Sequence, residues 1–390
     1  MTAPCVQGHT ALIFDRGGTH RLSQIVDLTQ VQWGRSRSAY TTASIVVAGD
    51  ACRDQAQAIN DIDSGRHELV LYRGSERVWE GPILQVSTFR DKATITARDI
   101  GDYLLTTALS QDWPWDTSGA VSSSSALMLE RVRTIMQYEL NTAYDMVVGT
   151  GAATQTVHVP RWENITNPAN VWPYVDIRTS TSLLTRSNTV AMQMTLGEHL
   201  HNLAEGGLDF TIVGRSFVAW DSKDDLGRTR VVTDTDFDGD IEVIQAGAQQ
   251  FSISHVSASA NTDNPDAPRV GNAGGPDDFY GVRTNILSLS QEDGADTPTQ
   301  DALNSQAQRD QVGRNPVPYI LRVPDNSTLR LNDTLGINDL IPGVTIPIRT
   351  KNNLRVLQQD QRLNSVQVTE TADGEQIQVS LSSWGEVVTA

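Results

Sequence analysis

Two segments near opposite ends of the chain share one rhythm, and that rhythm limits the possible folds more than any other feature. Residues 68–100, ELVLY-RGSE-RVWEGPILQVST-FRDK-ATITARDI, read as a short strand, a turn, a long strand, a turn and an alternating strand. Residues 344–384, VTIPI-RTKN-NLRVLQQDQRLNSVQVTE-TADG-EQIQVSLSSW, repeat that order. β-Branched and aromatic residues recur at every second position in both, as strands with one buried face require. Short strands joined by tight turns imply an antiparallel barrel or sandwich. The repeated rhythm predicts two β domains of similar architecture.

Helices interrupt this pattern. From about Ser124, Leu129, Val132, Met136 and Leu140 recur at three- and four-residue spacing, which buries one helical face. In a second helix Thr195 and Glu198 form a capping box, Leu196, Leu200 and Leu203 make the stripe, and Gly206 with Gly207 ends it. LDFTIVGRSFVAW then reads as a hairpin with Gly214 and Arg215 at its turn. Residues 261–280, rich in Gly, Pro, Asp and Asn, read as an exposed loop. A third helix begins at Thr297 with Pro298 in its first turn, Gln300 as capping partner and Gly313 as its stop.

The expected fold is mainly β with α+β insertions: two similar antiparallel β-barrel-like domains plus smaller mixed domains. The boundaries are 1–107 with 208–245 for the first β domain, 108–207 for an inserted α/β domain, and 246–390 for the second β domain, with a helix near 298–312. A length of 390 residues suits roughly two to four domains. No stretch of about eighteen apolar residues predicts a membrane span, and no secretory leader is visible. Cys5 and Cys52 cannot make a disulfide framework, as expected of folding in a reducing cytoplasm. With 47 acidic against 30 basic side chains, the formal charge of −17 argues against tight binding to a nucleic-acid backbone.

Chemical candidates are few. In DTDFDGDIEV, Asp234, Asp236, Asp238 and Asp240 alternate with other residues, and Gly239 stands where an EF-hand loop makes its sharp turn. The twelfth position is Gln245, which offers one neutral oxygen instead of a bidentate carboxylate. Strand-like RTRVVT and IEVIQ flank the loop where helices would be needed, so a turn with Asp side chains capping backbone N–H groups is the competing reading. The seven histidines are scattered, and His199 and His201 point to different sides of a helix. No GxSxG elbow occurs, and GNAGG at 271–275 precedes no helix signal, so neither a nucleophile nor a phosphate cradle is read. No catalytic residue and no cofactor are assigned. WPW at 113–115 offers aromatic faces for a sugar, for a partner, or for packing within its own domain.

The ordered phrases SAYTTASIVVAG, ELVLYRGSERVWEGPI, FTIVGRSFVAW, LGRTRVVTDTDFDGDIEVIQAG and NDLIPGVTIPI resemble minor tail proteins of siphophages infecting actinobacteria, which are similar to the baseplate hub proteins of long-tailed phages. The resemblance runs from about residue 10 to 385 and is least over about 108–195. In that family the DxDFxGD phrase belongs to a structural turn. The resemblance implies a homotrimeric ring at the tail tip, in the virion, made in the host cytoplasm. Its two hub domains per chain would let three subunits meet a sixfold tail. The implied partners are the distal tail protein ring, the tape measure protein, other minor tail proteins, a central fibre or spike, and genomic DNA in passage. A host cell-wall glycan or receptor-binding tail module is the alternative.

Overall fold

A computed structural model describes residues 6–48, 55–113, 127–149, 154–159, 171–179, 189–205, 207–258, 270–289, 300–311, 314–315, 319–324, 327–332, 334–352, 355–384 and 388–389. The N-terminal part supplies β1 (His9–Phe14), β2 (Arg21–Ile25), β3 (Leu28–Ser36), β4 (Thr42–Ala48), β5 (Glu68–Arg73), β6 (Glu76–Thr88) and β7 (Lys92–Arg98). The middle carries β8 (Tyr144–Val148), β9 (Gln155–Val159), β10 (Val175–Ile177), β11 (Leu208–Val213) and β12 (Ser216–Asp221), with helices Met128–Asn141 and Leu196–Glu205. Next come β13 (Val232–Thr233), β14 (Glu242–Gln245), β15 (Ile253–Ala258), β16 (Val270–Gly274), β17 (Thr284–Leu289), helix Gln300–Gln311 and β18 (Tyr319–Arg322). The chain closes with β19 (Thr345–Asn352), β20 (Arg355–Thr371), β21 (Gly374–Ser383) and β22 (Val388–Thr389).

The two echoing segments lie in a single 12-stranded sheet, ordered β13-β19-β20-β3-β4-β7-β6-β5-β1-β2, with β21 and β22 also on β20. The seam is β3 against β20, antiparallel from Gln30↔Thr371 to Ser36↔Ser365. Among the described residues β13 is the one parallel strand neighbour in this sheet. Among the described residues its two end strands, β2 and β13, do not pair, so no closed barrel forms. Parallel pairs also occur at β10 with β12 and at β15 with β17, so the smaller sheets are mixed and not purely antiparallel.

The echo extends to how the strands pair. β6 bonds to β5 through Glu76–Pro82 and to β7 through Ile83–Thr88. β20 bonds to β19 through Arg355–Arg362 and to β21 through Gln361–Thr371. Each long strand thus changes partner near its middle, and each is bulged just there: the β7 ladder skips Leu84 and the β21 ladder skips Asn364. An extra residue bends a strand and increases its twist, which lets one strand serve two differently directed neighbours. The carbonyl left over at Asn364 accepts from the Arg37 N–H at 2.8 Å.

The first core draws on both segments: Val31, Trp33, Ile45 and Ile95 pack in one cluster with Leu335, Ile346, Ile348, Leu363 and Val368. Fully burying side chains of this size stabilises by about 1.5–3 kcal/mol each. A second core gathers Leu129, Val132, Met136 and Leu140 of the first long helix, Leu196, Leu200 and Leu203 of the second, and Phe210 and Phe217 of the β11–β12 hairpin. Both apolar stripes read from the sequence therefore face this core. The capping box is present, with Thr195 N–H donating to Glu198 Oε2 at 2.8 Å and Glu198 N–H to Thr195 Oγ1 at 3.2 Å. The first helix begins at Met128 with Leu127 as its cap, and residues 114–126, including the expected start near Ser124, lie outside the described ones. Thr297, Pro298, Gly206 and Gly313 also lie outside them.

One expectation is overturned. Val270–Gly274, read as part of an exposed loop, forms a strand against β15. The signal was hidden because small residues serve the contact: a Cβ on Gly271 would overlap the Leu303 backbone of the helix lying on this sheet. Glycine there marks a close approach and not a turn. Among the described residues no helix is long and apolar enough to cross a membrane.

Candidate functional site

Asp234–Asp236 form a single 3-10 turn after β13. Asp236 is buried and folds back to its own cap, accepting from Thr233 N–H at 2.8 Å and Thr233 Oγ1 at 3.1 Å. Its other oxygen accepts from Arg230 at 3.3 Å and Asn332 Nδ2 at 3.1 Å. Asp234 instead accepts from the Lys351 N–H at 3.3 Å, and Asp238 pairs with Arg330. Asp240 is exposed. These carboxylates are distributed over separate partners, while Phe237 within the run and Ile241 just after it enter the first core. The acidic crowd ties the segment between β13 and β14 to residues 330–332 and to β19. Among the described residues no three His, Cys, Asp or Glu side chains converge as a metal site.

A buried polar cluster closes the β3–β20 seam. Glu370, near the end of β20, accepts from the N–H groups of Gln7 at 3.2 Å and Gly8 at 2.8 Å and meets His9 Nδ1 at 2.5 Å. Trp33 Nε1–H donates to His9 Nε2 at 2.9 Å. An indole nitrogen can only donate, so Nε2 is the acceptor and the ring proton sits on Nδ1, facing Glu370. Arg73 adds a bidentate pair with Glu375 of β21 at 2.8 and 2.7 Å. Gly34 of β3 lies so close to β20 that a Cβ would come 2.9 Å from the Val366 carbonyl oxygen.

A second cluster joins the main sheet to the helical region. Glu68, fully buried at the start of β5, accepts from Arg215 Nη2 at 3.0 and 2.7 Å, from the Tyr103 hydroxyl at 2.5 Å and from the Gly17 N–H at 2.9 Å. Glu80 of β6 pairs with Arg77 and lies 3.6 Å from Arg215 Nε. Burial first, and then the Glu68 charge, pushes the Tyr103 pKa far up, so the phenol stays a donor. Desolvating an ion pair costs several kcal/mol, offset only where the partners are matched; both Glu68 oxygens are, whereas among the described residues Arg215 Nε and Nη1 find no hydrogen-bond partner. Asp209 of β11 makes the companion contact, with Arg37 at 3.2 Å, Ser38 Oγ at 3.1 Å and Arg362 of β20 at 3.4 Å. Burial lowers the Arg362 pKa to about 10 and raises that of Asp209.

The other sequence candidates are dispersed. His199 is buried in the second core, and burial, then the Arg131 charge, lowers its pKa to about 4, so it is a neutral core histidine. His201 is exposed. GNAGG falls on β16 and the residue after it. Trp113 is buried, donating its indole N–H to Glu139 at 2.8 Å, while Pro114 and Trp115 lie outside the described residues. The structure instead brings together Glu68 with Arg215 and His9 with Glu370, which the sequence does not single out. Their only trace is a lone ionisable residue inside an apolar strand, as at Glu68 and Glu80.

No family model and no curated protein matches the sequence. The structure is similar to the 43 kDa tail protein of prophage MuSo2 from Shewanella oneidensis, with 13% identity and a TM-score of 0.50 over 97% of each chain. It is similar also to the tail protein from Neisseria meningitidis MC58, with 11% identity and a TM-score of 0.51 over 96% of each chain. Prophage tail protein gp18 from Listeria monocytogenes EGD-e aligns with 95% of this chain at 8% identity and a TM-score of 0.48. A mainly β chain of several sheets that aligns from end to end with the first two has the fold of phage tail proteins.

Proposed function

We propose that the chain is a structural component of a phage tail tip, the baseplate hub of a siphophage, and a minor tail protein without enzymatic activity. The observation that carries this reading is the end-to-end likeness to two phage tail proteins, which leaves no large region of either chain unmatched. Three copies form a ring that closes the distal tail tube. The repeated strand design of β5–β7 and β19–β21 supports two similar barrel-like units per chain, so that three chains present six near-equivalent surfaces to a sixfold tail ring while keeping threefold symmetry toward a central fibre or spike. The distal tail protein ring, the tape measure protein and other minor tail proteins are the neighbours in this arrangement. A formal charge of −17 suits a conduit, since an acidic wall does not hold DNA phosphates as it passes outward.

Light scattering of the purified full chain, together with negative-stain images of it and of tail tips, tests this reading. The expected result is a threefold ring of three chains, alone or at the tube end. A chain that stays monomeric at all concentrations, with no matching density at the tip, overturns it.

A further inference from the structure

Glu370 and Glu375 stand directly opposite each other in the β20–β21 ladder. Like charges so placed repel across an antiparallel pair. Arg73 of β5 answers one of them, holding Glu375 through both oxygens. The imidazole of His9, opposite Arg73 in the β1–β5 ladder and with its side chain fully buried, spans the two carboxylates. Its Nδ1 lies 2.5 Å from Glu370 Oε2 and its Nε2 3.9 Å from Glu375 Oε1, while Nε2 also accepts the Trp33 indole proton at 2.9 Å. The remaining charges around the ring are Arg35 of β3, 5.2 Å over the Trp33 ring, and Glu76 of β6, which favours the charged forms of both Arg35 and Arg73. Three carboxylates against two guanidiniums leave this cluster one negative charge in excess while His9 is neutral.

We infer that His9 is a proton-operated switch in the β3–β20 seam, exchanging a hydrogen bond to Trp33 for an ion pair with Glu375. In the neutral ring Nε2 is an acceptor and ties β1 to β3 through Trp33. A proton taken from solvent onto Nε2 turns that acceptor into a donor, and an indole N–H can only donate, so the Trp33 bond is lost. The new N–H turns to Glu375, which ties β1 to β21 instead. Nδ1–H stays on Glu370 in both states, and the N–H bond at Nε2 is the only covalent bond formed. The added charge cancels the excess and answers the opposed carboxylates from between them. The device belongs to the packing of the main sheet and does not depend on where the chain works, so it can fail without the tail reading failing, and the reverse.

The test is a pH series of 1H–15N spectra of the full chain labelled at its eight tryptophan indoles, from about pH 8 to about pH 5, with circular dichroism following the fold. One indole proton signal is expected to move upfield along a one-proton curve as pH falls, because its hydrogen bond is lost. The same signal stays fixed in His9→Gln, whose amide offers Trp33 an acceptor and Glu370 a donor but takes up no proton. Glu375→Gln, which removes the receiving carboxylate, is expected to move the midpoint to lower pH. Arg73→Gln, which frees that carboxylate, is expected to move it to higher pH. These two side chains are less buried than His9 and keep the result readable if His9→Gln fails to fold. Eight indole signals that all stay fixed, a moving signal that persists in His9→Gln, midpoints unchanged in both outer variants, or unfolding before any signal moves overturns the inference.

Discussion

Arg215, at the tip of the β11–β12 hairpin, and Glu68, at the start of β5, are 147 residues apart in sequence and form a buried ion pair at 2.7 Å. The pair fixes where the hairpin meets the main sheet, because no solvent can replace either partner. Removing one partner of such a pair strands the other. Arg215→Met is expected to lower stability by about 3–5 kcal/mol, and Glu68→Gln in the same chain to recover part of that loss, read from urea-denaturation midpoints. Equal stability of Arg215→Met and the parent chain would show that the cluster does not hold the two regions together.

Glu370 serves three groups at once across the seam: two backbone N–H groups and His9. Glu370→Ala is expected to cost about 1–3 kcal/mol, chiefly by leaving the buried His9 Nδ1–H without its acceptor. Trp33 emission should shift as its acceptor His9 loses orientation, and fluorescence-detected melting reads both effects.

Gly34→Ala tests the seam by crowding. The added methyl meets the Val366 carbonyl oxygen, and pushing β3 from β20 is expected to cost about 1–3 kcal/mol. Gly214→Ala is a useful contrast, since no atom lies near its Cβ and only its φ of +56° opposes substitution. Its cost should be about 1 kcal/mol. Calorimetric melting temperatures rank the two.

Two buried groups give opposite pH signatures. His199 takes up a proton near pH 6.5 when unfolded but only at about 4 when folded, so the unfolded state binds more protons in between. Its contribution is complete above pH 6.5 and is lost as pH falls toward 4, on the order of 3 kcal/mol, and His199→Gln should flatten this part of the profile. Asp99 is raised from 3.8 to about 6, chiefly by burial, so its contribution is complete below 3.8 and lost as pH rises through 6. Asp99→Asn should therefore gain on the parent chain as pH rises across that window. Melting temperatures from about pH 4 to about pH 7.5 check both signs.

The aspartate loop gives a last contrast. Asp236→Ala, which removes partly buried bonds to Thr233, Arg230 and Asn332, is expected to cost about 2 kcal/mol. Asp238→Ala, whose partner Arg330 is largely exposed, is expected to cost less than about 1 kcal/mol. Calcium should leave the melting temperature of the parent chain unchanged, and a clear rise on adding it would restore the cation reading.

Local signals were legible where the physics is local. Thr195 with Glu198, the Leu196, Leu200 and Leu203 stripe, the Gly214 turn and the short–long–short rhythm of both strand sets follow from caps, periodicity and turn chemistry within a few residues. β16 was missed because its Gly and Ala residues satisfy a helix lying across it, a demand made from outside the segment. What the sequence by itself determined was those strands, helices and turns whose signals are local, and the repetition of one strand design at both ends. Only the tertiary structure decided that β3 joins β20, so that both copies lie in one sheet over a shared core, and that Glu68 finds Arg215 and Glu370 finds His9. Periodicity reports which face of an element is buried but not which distant surface buries it, and that choice is made by packing and charge matching over the whole chain.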